Sequence, residues 1–321
     1  MLRAVRFAGQ LGFEIDDNTR NAIVQRADRL ENISAERIRV ELTKLLVAKE
    51  AGRLRDAYST GMTRYFLPEL DKAMVTEQKN PHHIYTVGEH SIHGIEIMNC
   101  FFEVTSDRKM YDKVPEKIMS TAKKIAKKMN KKQHTILCMA MLLHDIAKPV
   151  VMTVDDDGTG HFYGHPQESE KMAKKIMRRL TFDNESISKV CRLVKFHDYR
   201  IEDSNRAFRR AVSKIGADIM DMLFLVEYAD VLSQSDKMLE EKLSKINSGV
   251  ERFEYITQNA QPLSIKELAL TGSDLIAAGV KPGPNMGEIL KKMLDKVLDE
   301  PEANTKENLL EYLKTMDEFS L

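Results

Sequence analysis

Apolar residues recur at three- and four-residue spacing along most of the chain. The pattern is clearest in RNAIVQRADRL (20–30), AERIRVELTKLLVAKEAGRL (35–54) and MGEILKKMLDKVLDE (286–300). Such spacing gathers apolar side chains on one face of a helix and leaves the charged ones to solvent. Asp17, ahead of the first stretch, and Ser34, ahead of the second, are of the types that cap helix N-termini. One segment breaks the rhythm. PVVMTVDDDGTGHFYGHP (149–166) runs from β-branched residues through Asp-Gly to aromatics, which predicts a short hairpin. The expected fold is therefore all-α with one β-hairpin. Three parts follow from composition and breakers: a helical segment over 1–75, a middle helical domain over 76–240, and a C-terminal helical segment over 241–321.

Composition supports this and excludes some partners. The chain has no Trp, 18 Met, and only 15 Gly and 9 Pro in 321 residues, which suits helices. Its 49 basic and 49 acidic residues cancel, so any RNA contact must come from local patches rather than from an overall field. Basic runs occur in AKKIAKKMNKKQH (122–134), KMAKKIMRRL (171–180) and RAFRRAVSKIG (206–216). The first two read as solvated helix faces. Three cysteines without a CxxC pair argue against a disulfide framework and suit a reducing cytoplasm. No apolar run approaches the roughly 20 residues needed to cross a bilayer. MLRAVRFAGQLGF is too interrupted by Arg3, Arg6 and Gln10 for a signal peptide. The expectation is a cytoplasmic protein with no membrane partner.

The candidate chemistry lies in the middle. All nine histidines fall between positions 82 and 197, and MAMLLHDIAKP (139–149) sets His144 beside Asp145 after an apolar run. Burying a charge without a partner costs on the order of several kcal/mol. A solvent-exposed helix end, an ordinary ion pair or a metal ion would each compensate. Imidazole and carboxylate together suit Mn, Fe, Co, Ni or Zn. Consecutive helical side chains diverge by about 100°, so other helices would have to complete such a shell. DDDGTG (155–160) lacks the ligands of a calcium loop, and TGSDLIAAGVKPGP (271–284) lacks the strand and the Lys-Ser/Thr of a phosphate loop.

In order, YTVGEHSIHG, MLLHDIAKP, FYGHPQES, LVKFHD and VEYADVLSQ resemble the motifs of HD-domain metal-dependent phosphohydrolases. The resemblance implies His90, His144, Asp145 and Asp230 as metal ligands, with His165 and His197 as additional ligands where two ions bind. His93 is a rival to His90 and Asp236 a weaker rival to Asp230. It implies one or two divalent ions (Mn, Co, Ni, Fe or Zn, or else Mg). Asp145 would neutralise and bridge them, with Lys148 clamping a phosphate oxygen. Lys148 reads equally well as a helix C-terminal lysine near the dipole, stopped by Pro149.

A second resemblance runs along nearly the whole chain. MLRAVRFAGQLGFEID, ISAERIRVELTKLL, LPEL, NPHHIYTVGEH and LALTGSDLIAAGVKPGPNMGEIL are similar to bacterial tRNA nucleotidyltransferases, the CCA-adding enzymes, and to their poly(A) polymerase relatives. It implies a neck, body and tail that hold tRNA, with the HD domain embedded in them. Arg3, Arg6, Arg206, Arg209 and Arg210 are then the candidate RNA contacts. The Gly-Ser and Asp-x-Asp of that family's polymerising head are not found at useful spacing, so the head is expected to be missing. The leading expectation is a phosphohydrolase acting on a phosphorylated nucleotide, a 2′,3′-cyclic phosphate or an RNA end, with nucleotidyl transfer not expected from this chain alone. The alternative is a non-catalytic tRNA-binding body whose polymerase head is lost or supplied by another chain.

Overall fold

A computed structural model describes residues 1–79, 84–105 and 108–316. Among them are eighteen α-helices, short 3-10 turns and a single two-stranded antiparallel sheet. The chain forms two compact units. One is Met1–Tyr199 with Asp221–Asn247; the other is Arg200–Met220 with Ser248–Leu321.

The N-terminal helices obey the apolar pattern but are shorter than it suggests. Leu2–Leu11 ends at Gly12, whose φ of 74° lets its N–H reach back to Ala8 O. Asp16, one residue before the expected cap, accepts from Thr19 N and opens Asp17–Val24. Ser34 does precede Ala35–Leu46, yet its side chain makes no capping bond. The two long periodic stretches each break: Ala27–Asn32 is a 3-10 turn, and the chain leaves the helix after Leu46 to resume at Leu54–Ser59. The second break has a visible cause. Glu50 N bonds to Gly9 O, and a Cβ on Gly9 would stand 2.9 Å from both Glu50 O and the Leu45 side chain. The turn is held by a close approach to the first helix, which no local pattern encodes.

The core of the first unit is the pair Val87–Phe101 and Lys131–Leu143, both buried nearly all round. Thr86 caps the former, and an Asn130–Gln133 capping box starts the latter. They pack closely at Gly94, where any Cβ would collide with the Met141 side chain. The stretch Lys131–Val151 is long and apolar enough to cross a membrane by length and composition, a correction to the reading that no run approaches that length. Its most apolar 18-residue window is 78% buried inside the protein, and the stretch carries His144, Asp145 and Lys148. Its burial and its charges mark it as a core element. His165–Arg179 and Asn184–Phe196 form an antiparallel pair beside it, the second capped by Asp183.

The hairpin is smaller than expected. Only Thr153–Val154 pairs with Gly160–His161, with Thr153 opposite His161. The apolar lead-in Pro149–Val151 belongs instead to the short helix Lys148–Val151. Pro149 therefore sits in a first turn, where its missing N–H costs nothing, rather than stopping a helix.

In the second unit, helices Asn205–Ile215 and Asn285–Asp299 pack together, joined by Gly272–Ala277 and Lys306–Lys314. Asn285–Asp299 matches its predicted stretch nearly end to end.

Candidate metal centre

Six side chains of the first unit converge. His90 comes from Val87–Phe101; His144 and Asp145 follow the end of Lys131–Leu143. His165 opens His165–Arg179, His197 closes Asn184–Phe196, and Asp230 lies on Met220–Leu232. The geometry is tight. His90 Nε2 stands 2.8 Å from Asp230 Oδ1 and 3.2 Å from His144 Nε2. His144 Nε2 is 3.3 Å from Asp145 Oδ2, while His165 and His197 Nε2 are 3.3 and 3.6 Å from Asp145 Oδ1.

The imidazoles share one orientation. Nδ1 of His144, His165 and His197 each meets the carbonyl three residues upstream, at Met141, Phe162 and Val194. Met141 and Val194 offer last-turn carbonyls that a helix leaves without an N–H partner. His90 Nδ1 reaches Ser233 O at 3.2 Å and Ser233 Oγ at 3.1 Å. With Nδ1–H spent on an oxygen, each ring turns its Nε2 lone pair inward, the arrangement that metal-ligating histidines adopt.

The donor set fits a cation. Nε2 atoms face one another at 3.2 Å (His90 and His144) and 3.4 Å (His165 and His197), where two lone pairs repel unless positive charge lies between them. Asp145 Oδ1 is buried with no hydrogen-bond partner. Two overlapping sets, His90–His144–Asp230 and His144–Asp145–His197, each bring their ligand atoms within 4.8 Å of one another. Electrostatics point the same way. Burial opposes a proton on His144, yet Asp145 and Asp230 raise it to about 10. Burial likewise opposes the charge on both carboxylates. The His144 and Lys148 charges beside Asp145 hold it well below the usual range, and bonds from His144 and His90 do the same for Asp230.

Lys148 is 5% exposed, with Nζ 2.6 Å from Asp145 Oδ2 and 2.8 Å from Gln78 Oε1. It starts a helix rather than ending one, so the helix C-terminal reading is corrected. Its ammonium already has a carboxylate partner.

The rivals lie elsewhere in role. His93 pairs with Glu96 and packs on Tyr85, and Asp236 is exposed. His134 bonds to Asn99 and His161 to Asp155, while His82 and His83 lie outside the described residues. Pattern reasoning missed Gln78, Ser233 and Gln234, which hold Lys148, His90 and Asp230. Ser233 follows Asp230 by three residues, one helical turn, and could have been found that way; Gln78 belongs to no motif. Glu227 was also missed. Burial, with Asp230 and Asp198 nearby, pushes its carboxyl up to about 8.

Of the candidate RNA contacts, Arg3 is exposed. Arg6 is buried and bound to Glu41 and Gln10. In the second unit Arg209 is buried and donates to Leu298 O and Asp299 O at the end of Asn285–Asp299. Arg206 and Arg210 pair with the Asp299 carboxylate. Arg209 thus caps the helix's last carbonyls, while Arg206 and Arg210 neutralise its last side chain.

Comparison with known proteins adds what geometry cannot. Residues 12–74 match a family model described as "Probable RNA and SrmB- binding site of polymerase A", and residues 165–313 match one for tRNA nucleotidyltransferase domain 2. The chain is 27% identical to the CC-adding tRNA nucleotidyltransferase of Thermus thermophilus over 97% of its own length and 65% of that protein's. It is 50% identical over 72 residues to the CCA-adding enzyme of Bacillus licheniformis, covering 22% of this chain and 18% of the relative. The crystal structure of the Bacillus stearothermophilus CCA-adding enzyme in complex with CTP superposes with a TM-score of 0.53 at 19% identity. That match covers 98% of this chain and 60% of the other, a likeness of fold. The chain thus spans about two thirds of the length of these full-length matches. The family models and homologues support the CCA-adding tRNA nucleotidyltransferase/poly(A) polymerase family. They also correct the expectation of a metal-dependent phosphohydrolase from which nucleotidyl transfer is not expected, because these relatives are all named for adding nucleotides to tRNA.

Proposed function

We propose that this chain is the tRNA-holding body of an enzyme that adds nucleotides to tRNA 3′ ends, and that its His/Asp cluster holds a divalent metal ion. The observation that supports the reading is similarity to a CC-adding tRNA nucleotidyltransferase through 97% of the chain, with an RNA-binding model matched at 12–74. Arg26, Arg29 and Arg37 suit phosphate contact there, and Arg3 lies just ahead of the matched segment. They are exposed and in no ion pair among the described residues. His90, His144, Asp145 and Asp230 would be the principal ligands, with His165 and His197 completing a second set. A bound ion would supply the positive charge that keeps both buried carboxylates ionised. The chain's own residues do the positioning: Nδ1 bonds orient the rings, and Lys148 and Gln78 fix Asp145.

The test is tRNA binding over a range of salt. Binding to tRNA lacking its CCA end should be tighter than to an unrelated RNA duplex. Arg26→Glu with Arg29→Glu should weaken it and flatten the plot of log affinity against log salt by about 2, one unit for each phosphate no longer neutralised. Equal affinity for tRNA and duplex, or an unchanged slope in the double variant, would refute the body reading.

A further inference from the structure

The far end of the Lys131–Leu143 helix carries a feature that the metal cluster does not explain. A cavity of about 520 Å³ opens there, walled by Thr43, Lys44 and Val47, by Phe102 and Val104, and by the start of that helix. His134 lies ten residues before His144. At a rise of about 1.5 Å per residue, the cavity is about 15 Å from the cluster.

No carboxylate lines it, in a chain whose acids and bases balance. Lys44 and Lys131 do line it, both exposed and both without an ion pair among the described residues. Their neighbours differ. Lys123, Lys128 and Lys132 are matched to Glu103, Asp221 and the Asp183/Glu185 pair. Two uncompensated ammonium groups beside one cavity favour an anion.

The same cavity also has apolar and aromatic lining. Val47 and Val104 flank Phe102, which stacks on His134 with centroids 3.9 Å apart and planes 12° from parallel. His134 is 7% exposed and its tautomer is fixed. Asn99 Nδ2 donates to Leu46 O and Ala48 O, so Asn99 Oδ1 must be the acceptor of His134 Nε2–H at 2.8 Å. Burial lowers the imidazole to about 4, which leaves it neutral near pH 7. Nδ1 is then a lone-pair acceptor with no partner among the described residues, on a buried side chain that lines the cavity.

We propose that this cavity is a nucleotide site: Lys44 and Lys131 hold the phosphate, the Val47–Phe102–Val104 wall takes the base, and His134 Nδ1 accepts from a base N–H. A bare inorganic anion would leave the apolar wall and the acceptor unused. The volume lies within the range of small-ligand sites, roughly 300–1,000 Å³. The nucleotide can be free or belong to an RNA strand, and the chemistry of recognition is the same. The inference stands apart from the tRNA reading, because none of the arginines tested there lines this cavity.

The full chain is titrated by calorimetry with AMP, CMP, inorganic phosphate and a short single-stranded RNA. EDTA is present so that no nucleotide is held through a metal at the cluster. AMP or CMP should bind at least about tenfold more tightly than phosphate. Lys44→Glu with Lys131→Glu should weaken the nucleotide by about a hundredfold or more, the scale of two charged hydrogen bonds removed. Both positions are exposed, so the circular dichroism spectrum and melting curve should not change. A free nucleotide matching the RNA strand identifies the first source, and a tighter RNA strand the second. Nucleotide binding weaker than about 1 mM, binding that survives charge reversal, or phosphate binding as well as nucleotide would each overturn the proposal.

Discussion

Replacing Asp145 by Asn should expose how the buried cluster is held together. Asp145 is 1% exposed and Lys148 5%, with 2.6 Å between their charged atoms. At an effective dielectric of about 20, that separation corresponds to about 6 kcal/mol of attraction before desolvation is subtracted. Removing the carboxylate leaves Lys148 buried without a counter-charge, facing only neutral amides and the Phe162 ring, a loss of about 3–5 kcal/mol. Removing the lysine is milder. Asp145 keeps His144, His165 and His197 within 3.6 Å, so Lys148→Met should cost about 1–2 kcal/mol. The double variant should be more stable than Asp145→Asn alone, because it no longer buries an orphan cation. Urea unfolding in EDTA, with unchanged m-values, measures all four corners of the cycle. Additive costs within about 0.5 kcal/mol would mean that the two charges do not interact, and the reasoning would fail.

Metal content should follow the same residues: Asp145→Ala should purify with less divalent metal than wild type by elemental analysis, and equal content would remove the assignment. His165→Ala and His197→Ala should weaken a second equivalent more than a first, read from a two-step metal titration. His134 predicts acid sensitivity. Its folded pKa of about 4 lies below the free value of 6.5, so its contribution is full above 6.5 and lost as pH falls towards 4, about 3 kcal/mol in all. The difference in unfolding free energy between wild type and His134→Gln should shrink over that window, and parallel curves would contradict it. Arg209→Met should lower the stability of the second unit by about 1–3 kcal/mol, having left Leu298 O and Asp299 O without donors. A melting temperature equal to wild type would deny the capping role.

Much of this architecture is legible in the chain. Apolar spacing is a local property, so MGEILKKMLDKVLDE announced Asn285–Asp299 almost to the residue. The resemblance to ordered HD-domain motifs named the six side chains that the structure brings together, because each motif is a short local stretch. What local pattern could not supply are the contacts between segments distant in sequence. Gly9 against Glu50 ends a helix that periodicity would continue. Gln78 reaches Lys148 across seventy residues and lies in no motif. Arg206, Arg209 and Arg210 resembled phosphate ligands until Asp299 and the end of its helix were found beside them. A basic side chain has the same identity whether it faces solvent or caps a helix. Which of the two it does depends on the partner that folding brings within about 3 Å, and only the tertiary structure decides that partner.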